Sequence, residues 1–365
     1  MKLFTTIKDY ISQFYQPEEY INLEYQIGEF SKNKELKSYS VLDATPVFRN
    51  TLVKYLPLLR AKVDLTVGYG NGIPYDPKIV DFLNEIGIKT VLNGERTYRK
   101  KFDFILDCAG ANSHIFSNIG YVELTRSGFY KYRNSGSNVF LADDSLIKLF
   151  ETALGTGDGF IRGLKHLGFN SLKNKKVMIF GFGKVGQGVA LYALQEEMRV
   201  IIVDDLSKVK IPDAVEKIDC YNYEKINDEI ANVDFVVSVT GIAGALAKTI
   251  DIAKLIKSQA VIINMGIYNE FGELMPSERV LNNNEPLNFV LDEPTHLKYI
   301  APTMALSNYG IFELLSYQED SGNLIVPHEK LNRKILRVLR NGGCLQTELE
   351  FMEKFLNVSL RGKDE

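Results

Sequence analysis

The sequence predicts an α/β protein of two domains, and three observations carry that prediction. At 365 residues the chain exceeds what one hydrophobic core usually organises. Short runs rich in Val, Ile and Leu alternate with stretches whose apolar residues recur at helical spacing, which is the pattern of parallel βα units. A second series of such units opens at residue 175 with a strand, a glycine loop and a helix, "KKVMIFGFGKVGQGVALYALQ".

Taken in order, "KVDLTVG", "KTVLNG", "FDFILDCAG" and "GYVELT" read as strands, each stopped by Gly or a polar turn. "PKIVDFLNEIG" between them reads as a helix with a glycine stop. Residues 143–168, "DDSLIKLFETALGTGDGFIRGLKHLG", predict two helical segments joined by a glycine-rich break, with Asp143 or Asp144 as the first N-cap. Gly155, Gly157 and Gly159 suggest a hinge, a close approach of backbone to a ligand, or a plain loop. From residue 175 the strands are "KKVMIFGFG", "RVIIVDD", "DFVVSVTG", "AVIINMG" and "LNFVLDEP". After residue 300, "TMALSNYGIFELLSYQ", "EKLNRKILRVLRN" and "QTELEFMEKFLN" read as helices that need a partner surface. The expected division is a substrate domain over 1–151, a nucleotide-binding domain over 152–305, and C-terminal helices over 306–365 returning to the first domain.

Composition excludes several classes of function. A net charge of −3, with 24% charged and 45% hydrophobic residues, leaves no basic footprint for nucleic acid or an anionic membrane. Three widely spaced cysteines, Cys108, Cys220 and Cys344, suggest neither a disulfide framework nor a metal cluster. The start, "MKLFTTIKDYISQF", turns polar within eight residues, and no apolar run approaches the roughly 20 residues of a membrane span. A cytoplasmic protein is expected, a homo-oligomer acting on a small molecule.

The stretch "VMIFGFGKVGQGVALYALQEEMRVIIVDD" carries the chemistry. Gly181 permits a tight turn, Gly183 lets the backbone approach a diphosphate, and Gly186 lets helix pack on strand. The helix that opens at Lys184 and Val185 offers free N–H donors and a partial positive charge. Asp204, 23 residues after Gly181, is placed to accept from both ribose hydroxyls, and a 2′-phosphate there would meet like charge. The doubly wound, Rossmann-type domain is therefore expected to bind NAD rather than NADP.

These segments resemble the S-adenosylhomocysteine hydrolases, strongly over 139–268 and loosely over 40–315. "IFGFGKVGQGVA…RVIIVDD" is similar to their NAD-binding segment, "FVVSVTG" to their TTG strand and "IINMGIY" to their NIGHF stretch. "DDSLIKLFETALGTGDGFIRGLKHL", "FILDCAGAN", "YVELTRSG" and "MALSNYGIFELL" each resemble a further family segment. The resemblance implies tightly bound NAD, oxidation of a nucleoside 3′-hydroxyl, elimination or addition at C5′, and reduction of the ketone. It implies Lys148 as the base at the oxidised hydroxyl and Thr125 as a substrate contact. For the cofactor it implies Asp204, Thr240, Gly241 and Asn264, with Asp158 on the nicotinamide side and Thr156 nearby. Thr45, Asn71, Asp107, Cys108 and Arg126 complete the candidates on the substrate side.

The departures fall on the elimination chemistry. Ile267 stands where the family has the His of NIGHF, Leu124 replaces a substrate Glu, and Cys108 replaces an Asp. Glu151 and Thr152 replace an Asp-Asn pair, and "LDATP" keeps a Thr but not the His of the family turn. Arg126 reads either as a clamp for a carboxylate or phosphate or as a solvated loop residue. His296, in "DEPTHLKYIAPT", is a proton-transfer candidate against a plain loop histidine. Three readings follow: an NAD-dependent oxidoreductase with altered substrate, a divergent S-adenosylhomocysteine hydrolase, or a non-catalytic NAD-binding regulator.

Overall fold

The computed structural model describes residues 2–33, 35–95, 101–317 and 322–356, so residues 357–365 of the expected returning segment lie outside it. In the first half of the chain the elements run α1 Lys2–Ile11, α2 Ile21–Phe30, β1 Ser40–Asp43, α3 Thr51–Ala61, β2 Asp64–Tyr69, α4 Pro77–Ile86, β3 Lys89–Leu92, β4 Phe102–Asp107, β5 Ser117–Glu123, α5 Arg126–Tyr132, β6 Val139–Leu141 and α6 Leu146–Phe150. They continue α7 Thr156–His166, β7 Lys176–Phe180, α8 Lys184–Gln195, β8 Arg199–Asp204, β9 Glu216–Asp219, α9 Tyr223–Ile230, β10 Phe235–Ser238, α10 Ile252–Lys257 and β11 Val261–Asn264. The last are α11 Leu297–Leu315, β12 Leu324–Ile325, α12 Glu329–Gly342 and α13 Gln346–Leu356.

The chain divides into two compact units. The first holds the described residues of 1–149 and 297–346 around a parallel seven-stranded sheet, ordered β12-β6-β5-β4-β1-β2-β3. Its central strands are almost continuously apolar because helices cover both faces of such a sheet. The second holds residues 150–296 and 347–356 around a parallel five-stranded sheet, ordered β11-β10-β7-β8-β9. The helix over "PKIVDFLNEI" forms with Asp76 capping the Lys78 N–H and Gly87 closing it in the left-handed region at φ +93°.

Four expectations differ from the structure. Residues 146–166 form no break: α6 and α7 are joined by a π-helical turn, Glu151–Gly155. The glycines serve packing instead, because a Cβ on Gly157 would lie 2.4 Å from the Gly188 carbonyl oxygen on α8. Ser145, not Asp143 or Asp144, caps α6 by accepting from the Lys148 N–H at 3.0 Å. The stretch "LNFVLDEP" is a 3₁₀ turn, Leu287–Val290, that follows Pro286 and leaves Phe289 exposed, so it has no strand's burial. β9 escapes the sequence because its residues "EKID" bury only Ile218 at the sheet edge.

Domain limits shift as well. Residues 297–305 group with the first unit, and α13 from Thr347 groups with the second rather than returning. There α13 buries Leu349, Met352 and Phe355, and the Phe355 ring meets Phe182 edge-on at 6.3 Å. No described helix is long and apolar enough to cross a membrane.

Candidate functional site

In the second unit the chain order reverses between β7 and β10, so a crevice is expected at their carboxyl ends. The glycine loop lies there. Gly181 has φ +106°, and a Cβ on it would come within 2.6 Å of the Val239 carbonyl oxygen. A Cβ on Gly186 would lie 2.1 Å from the Gly181 carbonyl oxygen, so α8 closes on the loop only with glycine there. Gly183, at the N-cap of α8, has open space where a side chain would be and makes no side-chain cap. The first-turn N–H groups at Lys184, Val185 and Gly186 thus front an open cradle, which suits a diphosphate in size and charge.

Around this cradle the strand ends are held by carboxylates. Asp204 accepts from the Phe182 N–H at 2.6 Å and the Asp205 N–H at 2.7 Å, tying the glycine loop to β8. At the end of β10, Thr240 and Gly241 donate their N–H groups to Glu270, each at 2.7 Å, while the Thr240 and Ser238 hydroxyls bond the same carboxylate. Glu270 is fully buried, and the sequence offered no signal for it. Asn264 shapes the loop after β11, donating to the Tyr268 and Asn284 carbonyls and accepting from the Gly266 N–H. Gly181, Gly183, Gly186, Asp204, Thr240, Gly241 and Asn264 therefore lie at or just beyond the carboxyl ends of β7, β8, β10 and β11.

Three other candidates stand on or beside α7. Thr156 is half-buried at its start. Asp158 binds Arg162 at 2.6 Å and lies 3.3 Å from His296 Nδ1. His296 is thus beside the aspartate expected at the nicotinamide side, yet it remains 42% exposed.

The first unit has its own reversal between β1 and β4. At the end of β1, Asp43 and Lys54 form a fully buried pair at 2.6 Å. The Thr45 hydroxyl donates to Asp43 at 2.6 Å and accepts from Lys54 at 3.1 Å. Its one donor is spent, so Thr45 can only accept from a ligand. The signal for Lys54 was a lone charge inside the apolar helix "TLVKYLPLL", where nearly every residue is buried.

At the end of β4, Asp107 accepts from Tyr132 at 2.6 Å and from the Asn112 N–H at 2.9 Å. Burial raises its pKa against those bonds. Beside it, buried Glu123 accepts N–H groups from Ala109, Gly110 and Thr125 and the Thr125 hydroxyl. Burial first, then the Asp107 charge, push Glu123 up to about 8.

Thr125 is consequently not free for a substrate. Its hydroxyl donates to Glu123 and accepts from the Ala109 and Gly128 N–H groups. Arg126 is a surface residue, paired with Asp144 at 2.9 Å and lying over the Phe129 ring at 4.8 Å. Asn71 is exposed, with φ +54°, in the turn after β2. Cys108 is a buried thiol, in no disulfide, at the reversal point. Lys148, expected on a helix, is only 7% exposed, unlike an ordinary helix lysine.

The family described as D-isomer specific 2-hydroxyacid dehydrogenase, NAD binding domain, matches residues 149–267. Adenosylhomocysteinase of Thermotoga maritima is 25% identical over 272 residues, 66% of this chain and 65% of that protein. The Thermoplasma acidophilum adenosylhomocysteinase is 25% identical over 292 residues, 72% of this chain and 70% of that one. The chain thus spans about two thirds of these relatives' length. In structure, the dipicolinate synthase of Bacillus halodurans aligns at TM-score 0.45 and 10% identity, over 76% of this chain and 98% of that one, too loosely to carry an argument. The chain is thus similar over much of its length to adenosylhomocysteinases, and its residues 149–267 match an NAD-binding domain of the 2-hydroxyacid dehydrogenase type.

Proposed function

We propose that this protein is an NAD-dependent oxidoreductase that oxidises a hydroxyl of a small, nucleoside- or sugar-like substrate, with Lys148 taking the hydroxyl proton. The observation that carries this reading is the burial of Lys148, two residues before the chain passes from the first unit to the second. A lysine withdrawn from water at that point suits proton transfer better than solvation. When bound, NAD accepts the hydride of such an oxidation. The residues that would hold it are Gly181, Gly183, Lys184, Val185 and Gly186 at the diphosphate and Asp204 at the adenosine ribose. Thr240, Gly241 and Asn264 would line the far edge, with Thr156 and Asp158 beyond. Thr45 would receive a substrate hydroxyl, because Asp43 and Lys54 leave it only an acceptor site.

The names of the relatives favour a second reading, hydrolysis of S-adenosylhomocysteine. Against it stand the positions where the family resemblance expects elimination chemistry. Ile267 is exposed and apolar, Leu124 is half-buried, and Cys108 is a buried thiol. Losing two general acid–base groups, each worth about 10²–10⁴ in rate, leaves oxidation intact but hydrolysis very slow. The test follows absorbance at about 340 nm, where reduced nicotinamide absorbs, as a panel of nucleosides and sugars meets wild type and Lys148→Met with NAD. Free thiol released from S-adenosylhomocysteine is followed alongside. Reduction by wild type alone, without thiol release, supports the proposal. Equal reduction by Lys148→Met removes the base, and thiol release at an authentic hydrolase's rate favours the second reading.

A further inference from the structure

The geometry points to Asp205 as a latch that holds Lys208 away from the adenosine end of the dinucleotide and so sets the preference for NAD over NADP. This rests on the reading of the glycine loop as the NAD site. β8 ends in two successive acids with separate tasks. Asp204 ties the backbone, each oxygen taking one N–H group, from Phe182 and from Asp205. Asp205 faces the other way, into the turn that follows. One of its oxygens accepts the Ser207 N–H at 3.1 Å and the Ser207 hydroxyl at 2.5 Å. The other meets Lys208 Nζ at 2.7 Å and the Tyr221 hydroxyl at 3.4 Å.

Two lone-pair sites on each oxygen are thereby occupied by protein donors, so Asp205 has nothing left for a ribose hydroxyl. Its carboxylate is also mostly covered, 13% exposed, while Lys208 is 74% exposed. The charge balance at this edge is unfavourable to phosphate. β9 lies beside β8 with Asp219 opposite Asp204, so Asp204, Asp205 and Asp219 bring three carboxylates to adjoining strand ends. Lys208 cancels the one that binds it. A 2′-phosphate, carrying about −1.5 to −2 charges, would meet the remainder.

Removing the Asp205 carboxylate changes two things together. One negative charge leaves the edge, and an ammonium already rooted four residues past β8's end is released. A lysine ammonium is a strongly hydrated point charge with three rotatable donors, well suited to a phosphate. The Asp205 N–H that supports Asp204 belongs to the backbone and survives the substitution. Binding of NAD should therefore persist while NADP improves.

Calorimetric titration with NAD and with NADP tests the latch on wild type, Asp205→Ala and Asp205→Ala combined with Lys208→Ala. Asp205→Ala should tighten NADP by about tenfold, the equivalent of 1.4 kcal/mol, and leave NAD within about threefold. Adding Lys208→Ala should cancel most of that gain. An NADP affinity unchanged in Asp205→Ala, or a gain that survives intact in the double variant, overturns the latch. Wild type that binds no NAD overturns instead the cofactor site on which the latch rests.

Discussion

Glu270 in the second unit and Glu123 in the first are both fully buried, and both accept from loop N–H groups and from a threonine hydroxyl. The resemblance ends in what each arrangement leaves open. Glu270 reaches from the segment after β11 to the loop after β10, so the glycine loop after β7 keeps its cradle. Glu123 stands at the end of β5 and draws in the loop after β4 together with the start of α5. A Cβ on Gly128 would lie 2.1 Å from the Glu123 carboxyl carbon, so α5 folds over this carboxylate only with glycine there. The protein's own carboxyl group fills that place, and Thr125 is saturated by it. A threonine in a familiar setting is thus a ligand contact only if its neighbours have left it a free site.

The sharpest way to break the comparison is to delete each carboxylate in turn. In Glu270→Ala, two N–H groups and two hydroxyls lose their acceptor, and unpaired buried donors cost about 1–3 kcal/mol each. Chemical denaturation should show a loss of about 3 kcal/mol, partly offset where water reaches exposed Gly241. NAD affinity by calorimetry should fall at least about tenfold, because the Thr240 turn is no longer held. Glu123→Ala should cost comparable stability and leave NAD affinity nearly unchanged. Equal loss of NAD affinity in both variants would mean that the clamps do not serve separate sites.

The second prediction uses the carboxylate that only the first clamp has beside it. Burial and the Asp107 charge raise Glu123 to about 8 against its ordinary 4.5, and Asp107 is shifted in the same direction. Between those values the folded state holds a proton that the unfolded state releases. The contribution is complete below about pH 4.5 and is lost as pH rises through about 8, at up to about 1.4 kcal/mol per pH unit for one proton. Because the two acids interact, the proton belongs to the pair. Denaturation at pH 5, 6.5 and 8 (about one unit apart or more) should show wild type weakening with pH and Glu123→Gln weakening less. Parallel pH profiles would show that the folded clamp is ionised throughout.

The same contrast explains what the sequence could reveal. The β7–α8–β8 cradle was legible because its signals are local: glycine spacing, an apolar strand before and an acid after. Glu270 was not, because its partners lie about thirty residues away and nothing in "NEF" marks it. The helix over 146–166 was misread for a different reason. Glycine inside a helix costs about 1 kcal/mol, but Gly157 and Gly188 offset it by letting α8 approach α7 and the π-helical turn closely. Lys54 was legible in principle, as the one charge in a run that is otherwise apolar up to Arg60. Asp43, its partner, lies eleven residues earlier in a different element.

The smallest expected effect separates the inner and outer sides of the first clamp. Arg126 directly follows Thr125, and the sequence allowed it a role as a carboxylate or phosphate clamp. In the structure its side chain is 55% exposed, paired with exposed Asp144 and resting on Phe129. An exposed ion pair of this kind contributes about 0–1 kcal/mol and is screened by salt. An exposed cation over a partly buried ring adds about 0.5–1 kcal/mol. Arg126→Ala should therefore shift stability by only about 0.5 kcal/mol, and 1 M salt should shrink even that. Thr125→Val, one position earlier, should cost more, about 1–3 kcal/mol, because it strips the cap from α5 and leaves the Ala109 N–H without its hydroxyl acceptor. Denaturation of both variants at low and high salt checks the order. If Arg126→Ala is instead silent in stability but abolishes cofactor reduction by whichever panel compound wild type oxidises, Arg126 faces the substrate, and the outer side of this clamp is part of the site.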